Sequence, residues 1–110
     1  MTNNFQEKLA ALQAHLDKVE PDNDSALLEK VAKGLGPALY NIDASKVACS
    51  DKEELDRVVK SYVVKKLGMD AEKGQEAVQA VCAKYTERFK LRGVFYYLVC
   101  KHLGAEDHYA

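Results

Sequence analysis

The sequence predicts an all-α fold, a single-domain helical bundle of four long helices plus one or two short helical turns. Three observations carry that prediction. Apolar residues recur at spacings of three and four along most of the chain. Helix-capping side chains precede these stripes and glycines follow them. Two prolines and six glycines in 110 residues are too little punctuation for a dense β fold. With 47% apolar and 30% charged residues the composition is globular, and the length suits one domain over 1–110, with 1–3 and 105–110 expected to fray.

The first helix is predicted from Asn4 to about Val19. Phe5, Leu9, Leu12, Leu16 and Val19 share one face, and Glu20-Pro21 ends the run because the residue before proline avoids helical geometry. A second helix starts near Asp22 or Asp24, capped by Asp24 or Ser25, and runs to Lys33; Leu27, Leu28, Val31 and Leu35 form its stripe, and Gly34 and Gly36 stop it. From Pro37 to Ala48 one or two short turns are expected, with Asp43 capping Ala44 to Ala48. The third helix opens on a capping box, Ser50-Asp51-Lys52-Glu53, buries Leu55, Val58, Val59, Tyr62, Val63 and Leu67, and ends at Gly68. A fourth starts at Asp70 with Val78, Val81, Cys82 and Tyr85 inward, although Gly74 weakens its first turn by about 1 kcal/mol.

A fifth helix is predicted from near Thr86 to Leu103, apolar on most sides and therefore central, packed by the first and third helices. Its run GVFYYLVC has strand-like composition. The helical period through Leu91, Val94, Phe95, Leu98, Val99 and Leu103, and the want of a partner strand, favour helix. Lys33-Gly34-Leu35-Gly36, Lys65-Lys66-Leu67-Gly68 and Lys101-His102-Leu103-Gly104 share the pattern Lys-x-Leu-Gly. An internal duplication would explain it. The plainer account is three helices ending alike, with lysine against the dipole, leucine anchored and glycine in the left-handed cap.

The three cysteines, Cys49, Cys82 and Cys100, make a poor disulfide framework and are read as free thiols in a reducing, cytoplasmic setting. The N-terminal stretch lacks the basic and apolar regions of a signal peptide, and the longest apolar run, Val94 to Cys100, is far short of a membrane span. Net charge is −1, with −4 in residues 1–55 and +3 in 56–110, which is below the charge of a typical nucleic-acid module.

No spacing points to catalysis. There is no Cys-x-x-Cys or His-x-x-x-His, and Cys100 and His102 lie on opposite sides of a helix, so neither a metal nor a cofactor is expected. His15 reads as a surface residue, Cys82 and Cys100 as core. A thiolate at Cys49 would gain from the following helix start but is opposed by Asp51, Glu53 and Glu54. Carboxylates cluster at helix starts, where they offset the dipole, and nothing places one in an apolar setting for acid-base work. The segment KYTERFKLR holds Lys84, Arg88, Lys90 and Arg92, with Arg88 and Arg92 on one helical face and Tyr85 and Phe89 between, a pattern that suits phosphates and bases but also a solvated face over a core.

Three stretches, ALLEKVAKGLGPALYN (26–41), DASKVACSDKEELD (43–56) and RGVFYYLVCKHLG (92–104), resemble a small bacterial family of about this length, of the domain-of-unknown-function kind. The resemblance implies a bacterial, cytoplasmic, helical domain and carries over no functional residue.

The leading functional expectation is a non-enzymatic protein-interaction module that binds a partner, or a second copy of itself, through an exposed helical face. One alternative is a nucleic-acid accessory protein using Lys84, Arg88, Lys90 and Arg92, helped by Arg57, Lys60, Lys65 and Lys66. The other is a small-ligand pocket between helices near Tyr40, Tyr62 and Tyr96.

Overall fold

In a computed structural model, the structure describes residues 4–36, 46–86 and 90–109. Its helices are α1 (Asn4–Val19), α2 (Ser25–Leu35), α3 (Lys52–Arg57), α4 (Ala71–Lys84) and α5 (Arg92–Leu103), with α3 running on as a π-helical segment, Val58–Lys66. Two two-residue strands, β1 (Lys46–Val47) and β2 (Lys90–Leu91), pair antiparallel, and Glu106–Tyr109 forms a 3-10 turn within the tail expected to fray. The architecture is a predominantly helical single domain.

The local signals operate largely as expected. Asp24 caps α2 by accepting the Leu27 N–H at 3.1 Å, and Asp70 caps α4 through Glu72 N–H at 3.2 Å. The third helix is capped one residue later than the capping box predicts: Asp51 accepts from Glu53 and Glu54 N–H, and Ser50 stays outside. All three Lys-x-Leu-Gly ends place their final glycine, Gly36, Gly68 and Gly104, at positive φ, the conformation that only glycine adopts freely.

The core gathers on α5, whose Gly93, Val94, Phe95, Tyr97, Leu98, Val99 and Cys100 are all buried. Its main neighbours are α4, α2 and α1; the third helix instead packs chiefly on α4, which differs from the expected pairing. Two glycines set the close approaches. A Cβ on Gly93 would lie 2.6 Å from Leu12 Cδ1, so α1 and α5 meet there. A Cβ on Gly74 would lie 2.8 Å from Val63 Cγ1 and 3.1 Å from Val59 Cγ1, so the residue that weakens α4 by propensity is what lets the π segment dock on it.

Three expectations about how the chain connects are corrected, and a fourth concerns His15. First, Cys49 and Cys82 are joined by a disulfide across a sequence separation of 33, with Cα atoms 5.9 Å apart; only Cys100 is a free, buried thiol. Spacing alone offers no hint of it, because the pairing is made by docking the chain after β1 onto α4. Second, α5 begins at Arg92 and not near Thr86. Tyr85 turns out of helical geometry, its hydroxyl accepts the Leu91 N–H at 3.0 Å, and Lys90–Leu91 bond to β1, so tertiary partners take the backbone groups that a helix would have used. Third, Lys46–Val47, expected to be helical, supplies the partner strand that no sequence pattern marks. The turns expected over 37–45 lie outside the described residues. His15 is half-buried, with Nδ1 3.0 Å from the Tyr85 hydroxyl, and so is tied to the core rather than free on the surface.

Candidate functional site

The π segment is the least ordinary element of the chain. Hydrogen bonds from residue i to i+5 are rare, mostly confined to single turns, and frequent at functional sites; here they run through nine residues. The segment crowds β-branched valines at 58, 59, 63 and 64, a composition unfavourable to a regular α-helix. It closes with Leu67 N–H bonded to Tyr62 O at 2.9 Å and Met69 N–H to Val63 O at 2.9 Å.

Ser61, Tyr62 and Lys66 of this segment line a cleft of about 280 Å³, at the small end for ligand pockets. Val31, Gly34 and Leu35 from the end of α2, Arg92 and Tyr96 from the start of α5, and Tyr109 from the C-terminal turn complete it. The Tyr62 and Tyr96 rings stack with centroids 4.0 Å apart at 18°. The Tyr62 and Tyr109 hydroxyls are 2.9 Å apart and hydrogen-bonded. Arg92 and Tyr96 are four apart on α5, so Arg92 Nη1 donates to the Tyr96 hydroxyl at 3.0 Å, with its guanidinium 5.5 Å from that ring's centroid. Lys66 Nζ donates to Gly34 O at 3.3 Å and sits 5.9 Å from the Tyr109 centroid.

Electrostatics favour neutral phenols beside cations. Burial, reinforced by the Tyr109 hydroxyl and then by Cys100, pushes Tyr62 far above the ordinary tyrosine range. Burial likewise pushes Tyr109 up to about 12. Arg92 is ion-paired with Glu54 and donates to Lys46 O at 3.2 Å. Burial opposes the charge on Glu54, but hydrogen bonds from Arg57 and Arg92 outweigh it and lower its pKa. Burial also opposes the charge on Arg92, and Tyr96 and Glu54 outweigh it and raise its pKa.

Of the residues singled out from sequence, Tyr62 and Tyr96 are brought together, while Tyr40 lies outside the described residues. The basic candidates are dispersed. Lys84 ends α4 in an ion pair with Glu20 at 2.6 Å, Lys90 is half-buried in β2, Arg92 opens α5 beside Glu54, and Arg88 lies outside the described residues. The strand at 90–91 means that 84–92 is not one helical face. Sequence reading missed Lys66, Ser61, Gly34 and Tyr109 as neighbours of the tyrosine pair. For Gly34, Lys66 and Tyr109 the available signal was the alignment of helix ends, since the final turns at 34, 66 and 109 carry them; Ser61, inside the 58–66 segment, had none. Among the described residues no group of three His, Cys, Asp or Glu is placed to hold a metal ion, and no helix is long and apolar enough to cross a membrane.

No curated protein matches this chain. The profile of one family, described as "Protein of unknown function (DUF2853)", matches residues 10–107, which spans α2, the disulfide and every described cleft residue except Tyr109. On that match the chain belongs to the DUF2853 family.

Proposed function

We propose that this chain is a small non-enzymatic binding protein whose cleft at Tyr62, Tyr96 and Tyr109 takes a small anionic ligand, a carboxylate or a phosphate. The observation that supports it is the convergence of two cations, Lys66 and Arg92, with neutral phenol donors on one compact cleft. The Tyr96 hydroxyl oxygen accepts a hydrogen bond from Arg92 Nη1, so its own O–H is left to donate. Glu54 offsets Arg92, and among the described residues the Lys66 ammonium at the mouth has no carboxylate partner.

A partner-docking face has less to stand on. Among the described residues Val64, 39% exposed, is the one large hydrophobic side chain on the surface, and scattered apolar residues do not make an interface. Nucleic-acid binding through the basic residues is tested by gel retardation at low salt with the wild type and a Lys84→Glu, Lys90→Glu variant; no retardation of the wild type removes that reading. We also propose a cytoplasmic setting, which one disulfide among three cysteines fits where thiol exchange at that bond is reversible.

The direct test is thermal unfolding and calorimetric titration with inorganic phosphate and, separately, succinate, each against chloride at equal ionic strength. The expected result is stabilisation by one of the two anions that is lost in Lys66→Ala. Equal melting temperatures in all three salts would sink the reading.

A further inference from the structure

The Cys49–Cys82 disulfide ties the chain just beyond β1 to the C-terminal half of α4. Both cysteines are half-buried at the edge of the buried core. Cys49 lines a second cleft of about 560 Å³, bordered by Lys52, Asp56, Gln75 and Gln79, and Cys82 does not line it. A thiolate arriving from solvent through this cleft therefore meets Cys49 first. Three residues before Cys49, the Lys46 carbonyl accepts the hydrogen bond from Arg92 Nη2, and Lys46–Val47 pair with Lys90–Leu91 directly ahead of Arg92. The disulfide is thus the far anchor of a short ladder whose other end carries the tyrosine-cleft guanidinium.

We propose that Cys49–Cys82 is a reversible exchange site for a small-molecule thiol, attacked at Cys49, and that opening it loosens the β1–β2 pair and with it Arg92. The thiolate of the reductant bonds to Cys49 Sγ, the Cys49–Cys82 bond breaks, and Cys82 leaves as a thiolate that takes a proton from water. A second thiolate attacks the reductant's sulfur in the mixed disulfide and releases Cys49 as a thiol. The protein gains two electrons and two protons, and two reductant thiols become one disulfide. Cys100 does not compete, because it is buried and its thiol is pushed up to about 11, first by that burial and then by Glu106. The exchange stands on its own; its consequence for the cleft rests on the ligand reading above.

The test treats the intact chain with millimolar reduced glutathione and follows mass, circular dichroism and amide hydrogen exchange together. Expected is a folded dithiol form in which the 46–47 and 90–91 amides exchange on the order of tenfold faster, while the α5 amides do not. With oxidised glutathione, Cys82→Ser is expected to form its adduct on Cys49 faster than Cys49→Ser forms one on Cys82. A disulfide that survives the thiol, a reduced chain that unfolds, unchanged exchange at the two strands, or the opposite adduct order would each overturn the proposal. Phosphate and succinate titrations of both redox forms are read separately: binding in neither form sinks the ligand reading and leaves the exchange result intact.

Discussion

The two sides of the π segment are built from the same nine residues and are chemically opposite. Toward α4 it presents Val59 and Val63, 3% and 0% exposed, closed onto Gly74 with no room for one more carbon. Toward α2 and α5 it presents Ser61, Tyr62 and Lys66 around a cleft with hydroxyls and charges. The apolar side fixes where the segment lies. The other side packs through the buried Tyr62 ring stacked on Tyr96 and holds its hydroxyls and the Lys66 ammonium around the cleft. This division explains how a short chain can keep a cleft open: the rigidity comes from the far side of the same element.

The sharpest way to break the comparison is to spoil the closed side. Gly74→Val drives a branched side chain against Val63 and Val59, whose Cγ1 atoms would lie 2.8 and 3.1 Å from the new Cβ, and is expected to cost about 3 kcal/mol in urea unfolding. A loss below about 0.5 kcal/mol would mean that the docking is not tight. The next effect comes from the polar side. Glu54→Ala leaves the mostly buried Arg92 guanidinium without its carboxylate and is expected to cost about 2 kcal/mol, discounted from the fully buried case because both side chains keep some solvent contact. Because the folded-state pKa of Glu54 is depressed, its contribution is present above the unfolded value of 4.5 and is lost as pH falls below it. Wild type and Glu54→Ala should therefore converge in stability in acid; a constant gap down the pH series would show that the pair is not the cause.

A smaller and slower change separates the two sides by pH alone. The folded-state pKa of Tyr109 is raised above 10, to about 12, and that of Tyr62 is raised further. The Tyr109 contribution is complete below pH 10 and is lost as pH rises through about 12, and that of Tyr62 is lost only at still higher pH. Absorbance titration of the six tyrosines should show a late-ionising group that coincides with loss of the folded state, and Tyr109→Phe should shift that loss upward. Tyrosines that all ionise together near the free value would contradict the burial described for the cleft.

What is legible in the sequence follows the range of the interactions. Caps, stripes and glycine ends act over four residues, so Asp24, Asp70, Gly36, Gly68 and Gly104 are placed by their neighbours in the chain alone. The seam formed by 46–49, 82 and 90–92 is not. Its disulfide and its strand pair join residues more than thirty apart, and its one local clue, the helical period running through Leu91, points the wrong way because Tyr85 and β1 take the backbone donors. The tyrosine cleft falls between these cases. Tyr62 and Tyr96 stand out as aromatic groups on neighbouring helices, whereas Lys66 reads only as a helix-ending or phosphate-binding cation, and the π geometry that turns it toward Gly34 has no sequence signature.

The smallest expected change in stability is also the one that best separates the two sides. Gly34 lies inside α2, and an added Cβ would meet Lys66 Nζ, the end of a flexible chain that can swing away. Gly34→Ala should therefore raise stability, by up to about 1 kcal/mol from helix propensity, since nothing rigid is displaced. The same methyl removes the ammonium from the Gly34 carbonyl and from the mouth of the cleft. Stability and anion binding should then move in opposite directions, a result that neither a general loosening of the fold nor a purely structural role for Lys66 would produce. If phosphate or succinate still binds Gly34→Ala as it binds wild type, Lys66 is a helix-ending cation like Lys33 and Lys101, and the polar side of the π segment is only a solvated face.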